Sequence, residues 1–130
     1  MAIKNLVEFT IDVKGELTDH QYTGSFTAKT KLSMREALAQ DEIYRRILGV
    51  NSQEASNASK SVAGAISYLK THLVKCPDWW DALEGGDKCE DLNLLVEINN
   101  KCQDAVDGAY KALAEEAKKA EEILKALPTG

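Results

Sequence analysis

Apolar and polar side chains alternate at the start of the chain. Val7, Phe9, Ile11 and Val13 are interleaved with Glu8, Thr10 and Asp12, the two-residue period of a strand with one face in water. Lys14 to His20, with Gly15 and Asp19, supplies turn chemistry. Tyr22, Gly24, Phe26 and Ala28 then resume the alternation among Thr and Ser. The two runs predict an antiparallel β-hairpin within residues 3–32. Such a hairpin is marginal alone, so its apolar face needs cover from this chain's helices or from a neighbour's sheet edge.

The period then lengthens. Ser33 followed by Glu36 is a capping box, in which hydroxyl and carboxylate each satisfy an orphan backbone N–H at a helix start. Leu38, Ile43, Ile47 and Leu48 give that helix a partial apolar stripe. Arg45 and Arg46 suit the negative end of its dipole, and Gly49 suits a left-handed exit. A second helix follows from Ala55, Ala58, Val62, Ala65, Ile66, Leu69 and Leu73, running to Cys76 and the terminating Pro77. Two helices thus fill residues 33–76.

Residues 77–91 read as an acidic loop with two tryptophans and room for one short helical turn, because Gly85-Gly86 breaks anything longer. Across residues 92–127, Leu95, Ile98, Cys102, Ala105, Ala109, Leu113, Ala117, Ala120, Leu124 and Leu127 recur at steps of three and four, with an extra four near Ala109. Glu115 with Lys119, Lys118 with Glu122, and Glu121 with Lys125 are spaced to support an exposed helix. A helix of that length spans roughly 52 Å, against roughly 36 Å for a compact body of this size. Either Gly108 bends it or its alanine-rich end lies against another chain. The expected fold class is α+β: an N-terminal antiparallel β-hairpin, then three main helices, the last one long.

The 130 residues suit a single domain, with 44% hydrophobic and 28% charged side chains and two prolines. No run reaches the length of a membrane span, and Met1 to Asn5 lacks the apolar core of a secretion signal. The expectation is a protein that stays where it is made, without membrane contact. The net charge of −5 argues against nucleic acid, whose binding needs a basic face. Asp78, Asp81, Glu84, Asp87, Glu90 and Asp91 stand against the single Lys88, an excess equal to that of the whole chain.

Candidate chemistry is sparse. Cys76, Cys89 and Cys102 lack the paired spacing of a zinc site, and neither His20 nor His72 completes one. Cys102 falls on the apolar seam as a buried, inert residue. Cys76 and Cys89 bracket the acidic loop, where a disulfide is geometrically compatible with an oxidising compartment. The carboxylates lack calcium-loop spacing, and nothing encloses one of them as acid/base chemistry requires. No nucleophile elbow, phosphate loop or dinucleotide fingerprint occurs. No enzyme activity, cofactor or metal is expected.

Trp79 and Trp80 are the most informative pair. Adjacent residues rarely face the same way, so at most one should enter the core while the other covers a loop base or anchors a partner. The plain structural reading has both capping the end of the second helix. The partner-binding candidates are Trp79 and Trp80, the flanking Asp78 and Asp81, and the hairpin aromatics Tyr22 and Phe26.

The hairpin ending in Tyr22-Thr-Gly-Ser-Phe26 leads into Leu32-Ser-Met-Arg-Glu-Ala-Leu-Ala-Gln-Asp41 and Tyr44-Arg-Arg-Ile-Leu-Gly49. An alanine-rich helix then enters Leu73-Val-Lys-Cys-Pro-Asp-Trp-Trp80. This arrangement over roughly residues 3–100 resembles small proteins encoded among the structural genes of tailed bacteriophages, several of them tail assembly chaperones. The tail after about Ala114 is outside the likeness. The resemblance implies a non-enzymatic role in building or constituting the virion. The partners would be other virion proteins or copies of itself in a multi-copy assembly, in the particle or in the host cytoplasm during assembly. The alternative is a small cytosolic regulatory or anti-host protein with a single protein partner.

Overall fold

Residues 3–49 and 52–126 are described by the structure, a computed structural model of the chain. Strands β1 (Leu6–Lys14) and β2 (Gln21–Lys29) pair antiparallel in unbroken register, from Leu6 opposite Lys29 to Lys14 opposite Gln21. The alternation sorts the two faces as expected. Val7, Phe9, Ile11, Phe26 and Ala28 are buried, whereas Glu8, Thr10, Asp12, Thr23 and Ser25 face water. Phe9 lies directly across from Phe26, and their rings stack at 5.0 Å, a cross-strand pair of the kind that fixes register.

The hairpin gains a third strand. β3 (Leu73–Lys75) pairs antiparallel with the outer edge of β2, giving the order β1-β2-β3. The sequence reading carried the second helix through to Cys76, but α2 (Asn57–His72) ends four residues earlier. At Leu73 the backbone turns extended (φ −74°, ψ 129°), which lays the next residues along β2 instead of continuing the apolar stripe. Three residues are too few for a strand period to register in the sequence.

α1 (Met34–Leu48) carries the expected capping box, with Ser33 Oγ accepting from the Glu36 N–H and the Glu36 carboxylate accepting from the Ser33 N–H. Lys29 also meets Glu36, so the helix start is tied to the end of β2 and the Glu36 carboxyl is held well below the usual carboxylate range. α1 buries none of its residues, and Leu38, expected on its stripe, stands 73% exposed. It packs chiefly along α2. α2 in turn buries Ala63, Ile66, Ser67, Leu69 and His72.

α4 (Leu92–Ala126) is one helix of 35 residues, uninterrupted at Gly108. Its first half crosses the inner face of the hairpin and burial there is nearly complete, with Leu94, Ile98 and Cys102 at 0% exposure and Leu95 and Val106 close behind. Each such Leu or Ile contributes about 1.5–3 kcal/mol. The apolar face of the sheet is therefore covered by this chain's own helix. One contiguous core joins the sheet, α2 and the first half of α4.

Past Val106 no described residue is fully buried, although Ala109 still packs against the core and Leu113 is partly covered. The Tyr110 hydroxyl donates to the Thr30 carbonyl at 3.0 Å, the last such tie to the body. Further along, Ile123 and Leu124 are 62% and 67% exposed. The expected pairs Glu115–Lys119, Lys118–Glu122 and Glu121–Lys125 do not form, since no ion pair among the described residues involves α4. The predicted last residues of this helix, Leu127 and the adjoining Pro128, lie outside the described residues.

Candidate protein-interaction surface

The surface around the tryptophans is positioned by a clamp between α4 and the β1–β2 turn. Asp91 precedes α4 and its carbonyl accepts from the N–H groups of Leu94 and Leu95, the backbone role of a helix cap. Its side chain points away from its own helix. Oδ1 accepts from the Leu17 and Thr18 N–H groups at 2.7 and 3.0 Å, and Oδ2 accepts from the Thr18 hydroxyl at 2.6 Å and the Tyr22 hydroxyl at 3.4 Å. The Thr18 hydroxyl and these further donors hold its carboxyl below the ordinary aspartate value against the opposing effect of desolvation. Asn93 completes the clamp, accepting from the Glu16 N–H at 3.1 Å and donating to the Lys14 carbonyl at 2.8 Å.

Gly15 makes the approach feasible, because a Cβ there would lie 2.2 Å from Asp91 Oδ2. The sequence reading placed Asp91 in a solvated loop; the structure corrects this, with Asp91 1% exposed. An Asp immediately before an apolar run, here Leu92-Asn-Leu-Leu95, is the signal that marks it.

Trp79 and Trp80 sit on the short helix α3 (Asp78–Ala82) and diverge as neighbours on a helix must. Trp80 is 2% exposed. Its ring lies edge-on to Phe26 at 6.2 Å, and its far edge meets Gly86, whose φ of +106° closes the turn after α3. Trp79 stays half-buried over β2. Its indole N–H donates to the Thr23 carbonyl at 2.9 Å, and its ring packs 4.9 Å from Tyr22 and 5.8 Å from Phe26. Trp79 thus occupies the part of the β2 edge that three-residue β3 leaves uncovered. Gly24 lets Pro77 lie on this edge, since a Cβ there would come within 2.5 Å of the proline ring.

Of the candidate residues, the fold brings Tyr22, Phe26, Trp79 and Trp80 into one aromatic cluster, but Phe26 and Trp80 are its interior. Trp79 and Tyr22, with the exposed Asp78 beside them, offer surface. Trp79 and Tyr22 border an open cleft of about 310 Å³, also lined by His20, Leu83, Lys88 and Glu90. The acidic segment is less uniform than its sequence. Asp87 pairs with Lys70, Glu84 with Lys88 and Asp91 serves the clamp, leaving Asp78, Asp81 and Glu90 without an ion-pair partner among the described residues.

All three cysteines are free, so Cys76 and Cys89 are not joined in this structure. Burial pushes the Cys102 thiol up to about 12 and, with the nearby Asp81 charge, the Cys76 thiol up to about 11; Cys89 shifts the same way. At neutral pH these groups are protonated and weakly nucleophilic. Among the described residues, no three His, Cys, Asp or Glu side chains are placed to hold a metal ion, and no helix is long and apolar enough to cross a membrane.

The far end of α4 has the surface that the sheet and Trp80 lack. Residues 110–126 extend roughly 25 Å at 1.5 Å per residue, and Leu113, Ala117, Ala120 and Leu124 form a stripe with no buried member. Comparison with protein-family models, with curated proteins and with solved structures finds no match.

Proposed function

We propose that this chain is a non-enzymatic protein of tailed-bacteriophage assembly, acting through protein–protein contacts in the virion or in the host cytoplasm while the particle is built. The observation that carries the contact role is the second half of α4. A helix stripe of Leu113, Ala117, Ala120 and Leu124, with Ala117 and Leu124 exposed and Leu113 and Ala120 only partly covered, is the kind of surface a partner helix satisfies. Trp79, with Tyr22 and Asp78, offers a second and smaller contact. The phage assignment is supported by the arrangement around Tyr44-Arg-Arg-Ile-Leu-Gly49 and Pro77-Asp-Trp-Trp80 and by nothing chemical in those strings.

The test is mass spectrometry of purified particles and of assembly intermediates from producing cells. Stoichiometric presence in the particle makes the chain a permanent component, and presence on intermediates alone makes it a chaperone. Absence from both, with one host protein recovered by pull-down, contradicts the proposal in favour of a small regulatory or anti-host protein. A specific observation favours that second reading: the sheet and Trp80 are satisfied within one chain, so the body needs no neighbours to fold.

A further inference from the structure

We infer that the far end of α4 takes as its partner an amphipathic helix whose apolar seam is edged by lysine or arginine, and not a second copy of this chain. The inference rests on the contact role proposed for α4 and adds the chemistry of the occupant.

Leu113, Ala117, Ala120 and Leu124 follow steps of four, three and four, the alternating core positions of a heptad. At 100° per residue they fall within about 60° of the helix circumference, a narrow seam suited to one partner helix. Two alanines in it permit close approach of the backbones. The residues bordering the seam carry one sign of charge. Glu116 lies on one side beside Ile123, and Glu121 lies on the other beside Ala114; Lys111, Lys118, Lys119 and Lys125 fall farther round the helix. Neither Glu116 nor Glu121 is in ion-pair contact among the described residues. Their charges are therefore available to a partner.

In heptad terms Glu116 and Glu121 occupy the two rim positions that face one another across a two-helix seam. Two copies aligned in parallel would set Glu116 of each against Glu121 of the other. Two antiparallel copies overlapping along the whole seam would set Glu116 against Ile123 and Glu121 against Ala114, leaving both carboxylates without a charged partner. The parallel arrangement places carboxylate against carboxylate, the antiparallel one leaves both carboxylates against apolar side chains, and the chain's net charge of −5 opposes self-association in either. A helix edged by lysine or arginine along both rims gives Glu116 and Glu121 a cationic partner in either orientation.

The experiment uses the full chain and two labelled synthetic peptides about four heptads long with one Leu/Ala seam, edged throughout by Lys in one and by Glu in the other. Binding is read by fluorescence anisotropy at about 0.1 M and about 1 M salt. The Lys-edged peptide should bind about tenfold more tightly at low salt, lose most of that preference at high salt, and lose binding to Leu113→Asp/Leu124→Asp. The Glu116→Lys/Glu121→Lys variant should reverse the preference. Glu116, Glu121 and Leu124 are exposed and Leu113 is only partly covered, and circular dichroism checks that the body stays folded. Equal binding of both peptides overturns the charge inference and leaves the contact role standing. A dimer by light scattering that Leu124→Asp dissolves, with neither peptide bound, overturns it in favour of a second copy. Neither peptide bound by a monomeric chain overturns the inference together with the contact role of this helix.

Discussion

Replacing Trp80 with alanine tests the enclosed aromatic core. The indole is 2% exposed and lies between Phe26, Trp79, Ile66 and Gly86. Deleting a large buried aromatic costs about 3–5 kcal/mol, from lost transfer free energy and the cavity left behind. Against a total stability of about 5–15 kcal/mol, that is about a fifth or more of the whole. At roughly 3–5 °C per kcal/mol for a domain of this size, Tm should fall by about 9–25 °C. Urea unfolding followed by far-UV circular dichroism measures the loss without relying on the deleted fluorophore. Trp79→Phe is the internal comparison. It keeps an aromatic ring against Tyr22 and Phe26 but deletes the N–H that meets the Thr23 carbonyl, at a cost of about 1 kcal/mol. A Trp80→Ala loss below about 1 kcal/mol, or a Trp79→Phe loss as large as that of Trp80→Ala, refutes the division of labour between the two indoles.

Other consequences concern the clamp and a buried imidazole. Gly15→Ala drives a methyl into the Asp91 carboxylate and should destabilise by about 1–3 kcal/mol, while Asp91→Asn should lower Tm because its one amide oxygen can replace Oδ1 for the Leu17 and Thr18 N–H groups but the amide nitrogen in the Oδ2 place cannot accept from the Thr18 and Tyr22 hydroxyls. Asp91 has a depressed folded pKa, so its contribution is complete above the unfolded aspartate value and is lost as pH falls through the folded one; denaturation midpoints across acid pH should show Asp91→Asn converging on the parent. His72 is 7% exposed, stacks on Tyr68 at 3.8 Å, and its Nδ1–H donates to the Tyr68 carbonyl at 2.8 Å. Burial lowers its folded pKa below 6.5, so stability is full above that pH and declines below it. His72→Asn, which keeps a donor in the Nδ1 place, should flatten that decline in a pH series of urea midpoints.

The periodic features of this fold were legible, and the short or long-range ones were not. Alternation placed β1 and β2, and Ser33 with Glu36 located the start of α1, because each signal is contained in a few consecutive residues. β3 escaped because three residues carry no period and its pairing with β2 spans more than forty positions. Asp91 escaped because its partners Leu17 and Thr18 lie more than seventy residues away, and a carboxylate inside an acidic run looks solvated. The ion pairs assigned to α4 followed from spacing alone, yet long exposed side chains at that spacing gain little from being held together. Of the candidate contact residues, the sequence identified the aromatic set but not its interior: whether Trp79 or Trp80 faced water depended on where β2 lay.

The central claim is that the body of this protein is complete by Tyr110 and that the rest of α4 is an arm for contact. It is tested most directly by the urea stability of a chain ending at Ala114, compared with the full chain. The claim predicts stabilities equal within about 0.5 kcal/mol, as expected for residues away from any packed surface, alongside the loss of far-UV signal from the missing helical turns. A loss above about 2 kcal/mol would contradict it, showing that the arm folds against its own body and is not held out for another protein.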